Sequence, residues 1–242
     1  MSNLFDIVIT VGPNDKSVIK EQMKYTKRNI IGYRNIYLIC YDPSIIIDGC
    51  IAINENTFPF NIETVAKFHR KLSRNGWYLQ QLLKLYAGKI IPGILDKYLV
   101  IDADTLFLKP TTFVENNKCL YNFGTEYHKP YFQHMSKLDT KLVKVDKSKS
   151  GICHHMMFET KYIDELISKI EQNHNDSFYD VFLKLVTDKK GSGASEYEIY
   201  FNYMLKNNPT KIKLRKLNWK NTKTMKTNNN LDYISCHWYC RK

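Results

Sequence analysis

The sequence predicts one α/β domain whose central sheet is mostly parallel. Apolar runs of strand length alternate with amphipathic stretches of helix length in the first half of the chain, which is typical of a parallel sheet covered by helices. The chain has 242 residues, 43% of them hydrophobic, enough for one large core and too few for two ordinary domains. We therefore expect a single domain over residues 1–242, without an internal repeat.

The first three strands follow from apolar runs and the breaks between them. Phe5–Val11 is largely apolar and is broken by residues 12–15, so it predicts a buried strand. A helix-like stretch at residues 17–29 leads to a second strand at residues 35–41. Because two strands joined through a helix are parallel, this order predicts a parallel pair. Residues 50–54 predict a third strand.

The clearest helix spans residues 76–88, with the sequence GWYLQQLLKLYAG. Its apolar stripe consists of side chains three and four positions apart: Leu79, Leu82, Leu83 and Tyr86. Gln80, Gln81 and Lys84 lie off this stripe, so we expect them on the polar side of the helix.

The middle of the chain combines an interrupted strand with an irregular stretch. Residues 98–108, YLVIDADTLFL, are apolar on both sides of a charged centre. This pattern indicates a buried strand that is interrupted where it leaves the core. Pro110 ends this segment. Residues 111–150 predict loops with short elements, and residues 152–159 predict another strand.

The last part of the chain is predicted to contain a helix and two strands. Ser195 and Glu198 have capping-box spacing, which predicts a helix over residues 195–205. Residues 211–214 alternate as a short strand does, and residues 233–239 return to a strand pattern.

Charge and cysteine usage narrow the functional classes. The formal net charge of +12 suits nucleic acid, an anionic membrane face or anionic small substrates. The lysines are spread along the chain, as AT-rich coding also produces, so we do not expect nucleic acid as the partner. The six cysteines lie partly in apolar runs and lack zinc-site spacing, which indicates free thiols.

Membrane attachment is not expected from this sequence. Its apolar runs are far shorter than a bilayer requires, and the N-terminus lacks the basic flank and apolar stretch of a secretory signal. We therefore expect a soluble cytoplasmic protein.

The sharpest chemical signal is the segment Asp102-Ala103-Asp104. On an extended chain, side chains two positions apart point the same way, so both carboxylates can hold one cation, and the small Ala103 leaves room for a ligand. Hard oxygen ligands suit Mg²⁺ or Mn²⁺, which keep open positions for substrate phosphates. An isolated D-x-D usually marks a solvated turn, but this one follows an apolar strand, at the place where α/β sheets bind ligands.

Five segments in a fixed order resemble the GT-A glycosyltransferases, and most closely a group in which the same motifs recur. The segments are GWYLQQLLKL at residues 76–85, DADT at 102–105, His154-His155, SEYE at 195–198 and His237-Trp238. The resemblance implies a GT-A fold and the transfer of a sugar from a nucleoside diphosphate sugar, expected to carry uridine. The acceptor is a hydroxyl of a glycan, a protein or a small molecule. Donor sugar, acceptor identity, anomeric outcome and oligomeric state stay open.

The resemblance also implies roles for particular residues. In enzymes of this kind the motif carboxylates contact the metal, Mn²⁺ or Mg²⁺, and the donor ribose, and a late histidine often completes the metal shell. The implied metal ligands are Asp102, Asp104 and His237. The candidate nucleotide contacts are Val11, Gly12, Pro13, Asn14, Asp15, Lys84, Asp102 and Ala103, of which Lys84 is proposed from its place on its helix. The candidate substrate contacts are Gln81, His154, His155 and Trp238. Plain packing explains Trp238 equally well, and a lone strand histidine such as His237 is more often a core or surface residue than a ligand. Residues 1–110 would form a nucleotide-binding half and residues 111–242 an acceptor-side half.

Two of the nucleotide contacts have ordinary alternatives. Asp15 either accepts a hydrogen bond from a base or belongs to a turn or helix cap. Lys84 either reaches a phosphate from the polar side of its helix or is simply solvated. The same choice applies to the basic residues before that helix: Arg70, Lys71 and Arg74.

Histidines and aromatic residues offer further candidates for the sugar site. Strand alternation sends His154 and His155 to opposite faces, so at most one of them lines the cleft. A second group lies in the irregular middle and suits either a sugar or a plain aromatic loop: Tyr127, His128, Tyr131 and His134.

An inverting transferase needs a general base for the acceptor hydroxyl, whereas a retaining one can leave the proton to the departing phosphate. Glu196 and Glu198 are the candidate bases. The capping box already explains Glu198. Glu196 lies at a helix N-terminus, where the partial positive charge favours the ionised form but weakens it as a base. Because capping does not explain Glu196, it is preferred.

A non-catalytic basic protein that binds nucleic acid or another polyanion on the same fold is the alternative. It would show salt-dependent affinity for nucleic acid and indifference to Asp104→Ala. Metal-assisted phosphodiester hydrolysis is a third hypothesis, but the sequence lacks the further acidic cluster that a two-metal site favours. The Asp102 and Asp104 pair favours the transferase.

Overall fold

A computed structural model describes residues 3–69, 72–188, 191–225 and 230–236 of the chain. The strands are β1 (Phe5–Val11), β2 (Ile30–Ile31), β3 (Tyr33–Cys40), β4 (Ile51–Asn54), β5 (Lys97–Asp102), β6 (Thr105–Phe107), β7 (Thr111–Thr112), β8 (Val114–Glu115), β9 (Lys118–Asn122), β10 (His155–Glu159), β11 (Ile212–Arg215), β12 (Trp219–Asn221) and β13 (Tyr233–Ser235). The α-helices are α1 (Ile19–Asn29), α2 (Ile62–Phe68), α3 (Leu72–Ile90), α4 (Lys129–Leu138), α5 (Thr160–His174), α6 (Phe178–Lys184) and α7 (Glu196–Asn207).

The central sheet has the strand order β10-β5-β1-β3-β4. Its strands are parallel except for β10, which runs antiparallel to β5 on one edge. Every residue of β1 is buried, as expected for a middle strand covered on both faces. The predicted α/β class and mostly parallel sheet are confirmed, and β1 has the predicted bounds.

The direction of strand addition reverses beside β1. The chain adds β3 and β4 on one side of β1 and then returns to add β5 on the other side. In open α/β sheets, ligands bind in the crevice at the carboxyl ends of the strands beside such a reversal. Those ends are Val11 and Asp102, and Thr10 pairs in register with Asp102. The loop after β1 and the D-x-D segment therefore lie at one edge of the sheet.

Helix α3 is buried on more than one stripe. It contacts β1 and also packs against α2, α5 and α7. Gln81 and Lys84 are each 1% exposed, so the prediction that they lie on the polar side of this helix is wrong. The reason is tertiary, because helices from distant parts of the chain cover the sides that the sheet leaves open.

Smaller sheets in the second half bring a late segment of the chain to the D-x-D motif. β13 pairs antiparallel with β6, and Ser235 lies opposite Thr105, the residue after Asp104. The strand predicted over residues 233–239 is present at Tyr233–Ser235. Residues 237–239 lie outside the described residues.

Four helices have no counterpart in the sequence predictions, and one of them is α2, between β4 and α3. α4 lies in the stretch predicted to hold loops with short elements, while α5 and α6 pack on each other after β10. The strand predicted over residues 152–159 begins only at His155. Among the helices of the described ranges, none is both long and apolar enough to cross a membrane. Each cysteine within those ranges is a free thiol.

Candidate active site

The D-x-D segment forms a turn at the end of a central strand. β5 ends at Asp102 and β6 begins at Thr105, so Ala103 and Asp104 connect the two strands. The extended conformation assumed from the sequence is therefore wrong beyond Asp102. The two carboxylates still lie close along the chain, but the turn and its neighbours, rather than strand alternation, set their directions.

The Asp102 carboxylate is held by three side chains from three parts of the chain. Its Oδ1 accepts hydrogen bonds from the Lys84 ammonium at 2.6 Å and from the Tyr197 hydroxyl at 2.8 Å. Its Oδ2 lies 3.2 Å from His154 Nδ1. Burial would raise the pKa of Asp102, but Lys84 and His154 together lower that pKa well below its usual value. Asp102 is thus a fixed, ionised carboxylate.

Lys84 joins Asp102 to a second buried carboxylate. Its ammonium also donates to Glu196 Oε1 at 2.7 Å and lies 4.7 Å from the centre of the Tyr197 ring. Burial alone would lower the pKa of Lys84, but Asp102 and Glu196 raise it above its usual value. The solvated alternative for Lys84 is therefore wrong. Its predicted contact with a donor phosphate stays a prediction.

Glu196 is 4% exposed and is fixed through both its carboxylate and its backbone. Its N–H donates to Gln81 Oε1 at 3.1 Å, and the Gln81 amide donates in turn to the Trp77 carbonyl. Burial raises the pKa of Glu196 although Lys84 opposes the shift. The Gln81 side chain thus stabilises the first turn of α7. The predicted contact of Gln81 with substrate stays a prediction.

Glu198 belongs to a separate buried network. Its backbone N–H donates to the Ser195 hydroxyl at 3.2 Å, as in a capping box. Its carboxylate accepts hydrogen bonds from the Ser150 hydroxyl and the Asn202 amide instead of closing the box. The capping box is therefore only half formed, and burial raises the pKa of Glu198.

Asp104 is tied to the late segment of the chain. It is 8% exposed, its Oδ1 accepts from the Ser235 hydroxyl at 3.1 Å, and its carbonyl accepts from the Cys236 N–H at 2.9 Å. The residue before His237 is thus hydrogen-bonded to the D-x-D turn. His237 and Trp238 lie outside the described residues, so their metal and substrate contacts stay predictions.

The two adjacent histidines occupy different environments. His154 precedes β10 with a φ of +62°, and its ring contacts Asp102 and the Trp219 indole, the latter edge to face at 4.9 Å. His155 is 2% exposed and packs among three aromatic rings: Phe107, Phe113 and Tyr233. Burial lowers the pKa of His155 to about 3. The structure places His154 beside Asp102 and His155 in the core.

The loop after β1 is a short 3₁₀ turn at Pro13–Asp15. The Gly12 N–H donates to an Asp15 carboxylate oxygen at 3.3 Å, and the Asp15 N–H donates to the Gly12 carbonyl at 3.0 Å. The turn interpretation of Asp15 is confirmed. Contacts of Val11, Gly12, Pro13, Asn14 and Asp15 with a nucleotide stay predictions.

The remaining aromatic and basic candidates are dispersed. His134 is fully buried, its Nε2 lies 2.8 Å from the Phe182 carbonyl, and burial lowers its pKa to about 4, so its prediction as a sugar contact is wrong. His128 Nε2 lies 2.7 Å from the Ser192 carbonyl, and Tyr127 is 64% exposed. Arg74 lies over the Trp77 ring. Arg70 and Lys71 lie outside the described residues.

The donor set suits a hard divalent cation only with additional ligands. Asp102, Asp104 and Glu196 carry three formal negative charges against one positive charge on Lys84, which leaves an excess of two. Carboxylate oxygens are ligands that Mg²⁺ and Mn²⁺ prefer. Within the described ranges, however, no group of three or more His, Cys, Asp or Glu side chains is arranged to hold a metal ion. The turn therefore fits a cation that takes its other ligands from substrate phosphates, water or residues outside those ranges.

Three residues whose side chains contact Asp102, Asp104 or His154 were not identified from the sequence. Tyr197 donates to Asp102, Ser235 donates to Asp104, and Trp219 packs on His154. Tyr197 and Ser235 each lie within two residues of a predicted site residue, but a tyrosine or serine alone carries no ligand signal. Trp219 has no local signal, because its contact depends on the pairing of β12 with β13.

No curated protein matches the chain significantly. Among the solved structures, the apo crystal structure of mouse xyloside xylosyltransferase 1 matches with 8% sequence identity and a TM-score of 0.51, over 96% of this chain and 97% of that chain. At this identity the similarity shows a shared fold, and it supports the expected GT-A architecture. A family model matches residues 41–242, and on that match the chain belongs to DUF6492, a family of unknown function.

Proposed function

We propose that this protein is a metal-dependent glycosyltransferase that transfers a sugar from a nucleoside diphosphate sugar, with uridine as the expected base, to an acceptor hydroxyl. The position of the Asp102–Asp104 turn carries the proposal. The turn lies at the carboxyl end of β5, beside the end of β1, where the strand order reverses. The fold shared with a xylosyltransferase supports the same reaction class.

In this proposal Asp102 and Asp104 hold Mn²⁺ or Mg²⁺ together with His237. The bound cation would supply Lewis-acid stabilisation for the negative charge that develops on the departing diphosphate. The protein's own contribution is orientation. Because Lys84 and Tyr197 both donate to Asp102 Oδ1, the carboxylate is fixed before any ligand arrives, and a fixed carboxylate need not reorganise during the reaction.

Glu196 is the better candidate of the two possible bases. It shares the Lys84 ammonium with Asp102, which places it next to the proposed donor site, and its raised pKa increases its affinity for a proton. Glu198 uses its carboxylate on Ser150 and Asn202. If the enzyme inverts the anomeric centre, Glu196 would accept the proton of the acceptor hydroxyl.

The first test is ligand-dependent thermal stability, since a ligand that binds the folded state selectively stabilises it. The purified protein is heated with a panel of nucleotides and nucleotide sugars, each with Mn²⁺ or with EDTA. We expect stabilisation by one class of nucleoside diphosphate that requires Mn²⁺ and is lost in Asp104→Ala. The matched control is Asp48→Ala, which removes a carboxylate from an exposed turn.

If the protein unfolds cooperatively and no nucleotide or nucleotide sugar raises its unfolding temperature, the proposal is contradicted. Salt-dependent binding to nucleic acid that is unchanged in Asp104→Ala would then favour the non-catalytic polyanion binder.

A further inference from the structure

A cleft of about 600 Å³ opens beside Trp219. It lies between the segment after β9 and the segments that flank β12 and β13. Its lining residues are Phe123, Gly124, Thr125, Glu126, Ile152, Lys216, Leu217, Asn218, Trp219, Asn230 and Leu231. This volume is within the range of small-molecule sites, and sequence reasoning assigned none of these residues to a ligand.

The side chain of Trp219 links the cleft to the candidate active site. Trp219 lines the cleft and contacts the His154 ring at 4.9 Å between centroids, and His154 Nδ1 is 3.2 Å from Asp102. A second connection runs through the backbone, because Ile152 lines the cleft and lies two residues before His154. Two side chains, Trp219 and His154, therefore separate a molecule in the cleft from the Asp102 carboxylate, to which we assign the donor.

Buried hydrogen bonds hold the cleft walls in place. The Leu217 N–H donates to Asn122 Oδ1 at 2.8 Å, and the Asn122 amide donates to the Tyr233 hydroxyl at 2.9 Å. The Tyr233 hydroxyl donates to the Cys153 carbonyl at 2.8 Å, and its ring stacks on Trp219 with an interplanar angle of 9°. These contacts join four segments of the chain, so the shape of the cleft is largely preformed.

The lining combines aromatic surface with neutral polar groups. Phe123 and Trp219 offer ring surface, while Thr125, Asn218 and Asn230 offer hydroxyl and amide groups that both donate and accept. Its two charged residues, Glu126 and Lys216, are of opposite sign. The +12 net charge of the chain is therefore not concentrated among the lining residues, although the Lys149 ammonium lies 5.5 Å from the centre of the Phe123 ring.

We propose that this cleft binds the acceptor and that the acceptor is a carbohydrate. A sugar ring presents an apolar C–H face to an aromatic ring and hydroxyl groups to amides, which matches this lining. The proposal rests on the proposed function. In the transfer, the acceptor hydroxyl oxygen forms a bond to the anomeric carbon of the donor, and the bond from that carbon to the diphosphate oxygen breaks. The nucleoside diphosphate leaves with the electron pair. The hydroxyl proton passes to the Glu196 carboxylate in an inverting enzyme, or to the departing phosphate oxygen in a retaining one.

The test separates carbohydrate binding from donor binding. Saturation-transfer NMR would measure binding of methyl glycosides, xylobiose, cellobiose, maltose and lactose to the wild type, Trp219→Ala, Trp219→Phe and Asn218→Ala. The control variant is Lys220→Ala, an exposed residue of β12 outside the lining. We expect at least one carbohydrate to bind the wild type and to bind Trp219→Ala and Asn218→Ala at least about tenfold more weakly, or ~1.4 kcal/mol. Trp219→Phe retains an aromatic ring and should therefore lose less carbohydrate affinity than Trp219→Ala.

Donor binding is measured on the same variants by the Mn²⁺-dependent thermal shift. We expect that shift to persist in Asn218→Ala. Absence of binding by every carbohydrate, or equal binding by the wild type and both alanine variants, overturns the cleft assignment even where the donor shift is present. If carbohydrate binding depends on Trp219 but no nucleotide sugar raises the unfolding temperature, the assignment of the cleft is supported and the proposed function is contradicted. Binding of an unglycosylated peptide in place of carbohydrates also overturns the assignment.

Discussion

Replacing Lys84 with Met is the most direct test of how the candidate site is held together. Met is close to Lys in length but carries no charge. The substitution removes an ammonium that lies 2.6 Å from Asp102 and 2.7 Å from Glu196. Breaking a buried ion pair by deleting one partner typically costs about 3–5 kcal/mol. Glu196 is 4% exposed and would dominate this cost, because Asp102 keeps Tyr197 and His154.

The sign of the pH dependence follows from Glu196. Burial already raises its pKa, and Lys84 opposes that shift, so loss of Lys84 raises the pKa further. A carboxyl group whose folded-state pKa is raised stabilises the fold fully below its unfolded pKa of about 4.3 and loses that contribution as pH rises through the folded value. The Lys84→Met protein should therefore be least stable relative to the wild type at pH 8 and should recover part of the loss at pH 5.

Guanidinium denaturation at pH 8 and pH 5 measures both effects. The matched control is Lys89→Met, which makes the same change on an exposed position of α3 and should shift stability by less than about 0.5 kcal/mol. The double variant Lys84→Met/Glu196→Gln should recover much of the lost stability, because it removes the unpaired charge. A loss below about 1 kcal/mol at pH 8, or a double variant no more stable than Lys84→Met alone, would refute the reasoning.

Three further predictions concern the neighbouring groups. Glu196→Gln should lower kcat for sugar transfer while leaving the Mn²⁺-dependent donor shift in place, whereas Glu198→Gln should change mainly the unfolding temperature; equal kcat losses in the two variants would contradict this assignment. Because the pKa of His155 is lowered, its neutral imidazole stabilises the fold fully above about pH 6.5, and this contribution is lost as pH falls toward 3, by roughly 1.4 kcal/mol per pH unit. In His155→Phe the free energy of unfolding should therefore fall less steeply between about pH 6.5 and pH 3. An unchanged pH dependence would argue against a buried neutral imidazole. Ser150→Ala should lower the free energy of unfolding by about 1–3 kcal/mol, because the buried Glu198 carboxylate loses one hydrogen-bond donor. An unchanged free energy of unfolding in urea denaturation would contradict this and would show that water replaces the hydroxyl.

The sequence alone determined the fold class and the position of the two candidate carboxylates along the chain. Apolar continuity identified β1 with its observed bounds, and the charged break after an apolar run located the end of β5. Both signals are local, because strand burial and strand ending depend on residues that are adjacent in the chain. Local patterning was therefore sufficient to predict a parallel sheet and to place two carboxylates at its edge.

Only the tertiary structure decided which partners surround those carboxylates. Lys84 and Glu196 are separated by 112 positions, and helical periodicity placed Lys84 on a polar face that α7 in fact covers. The choice between His154 and His155 likewise depended on a backbone turn before β10 and on an aromatic core assembled from distant strands. Periodicity reports one face of one element, whereas the charge, burial and direction of a side chain depend on whichever distant element packs against it.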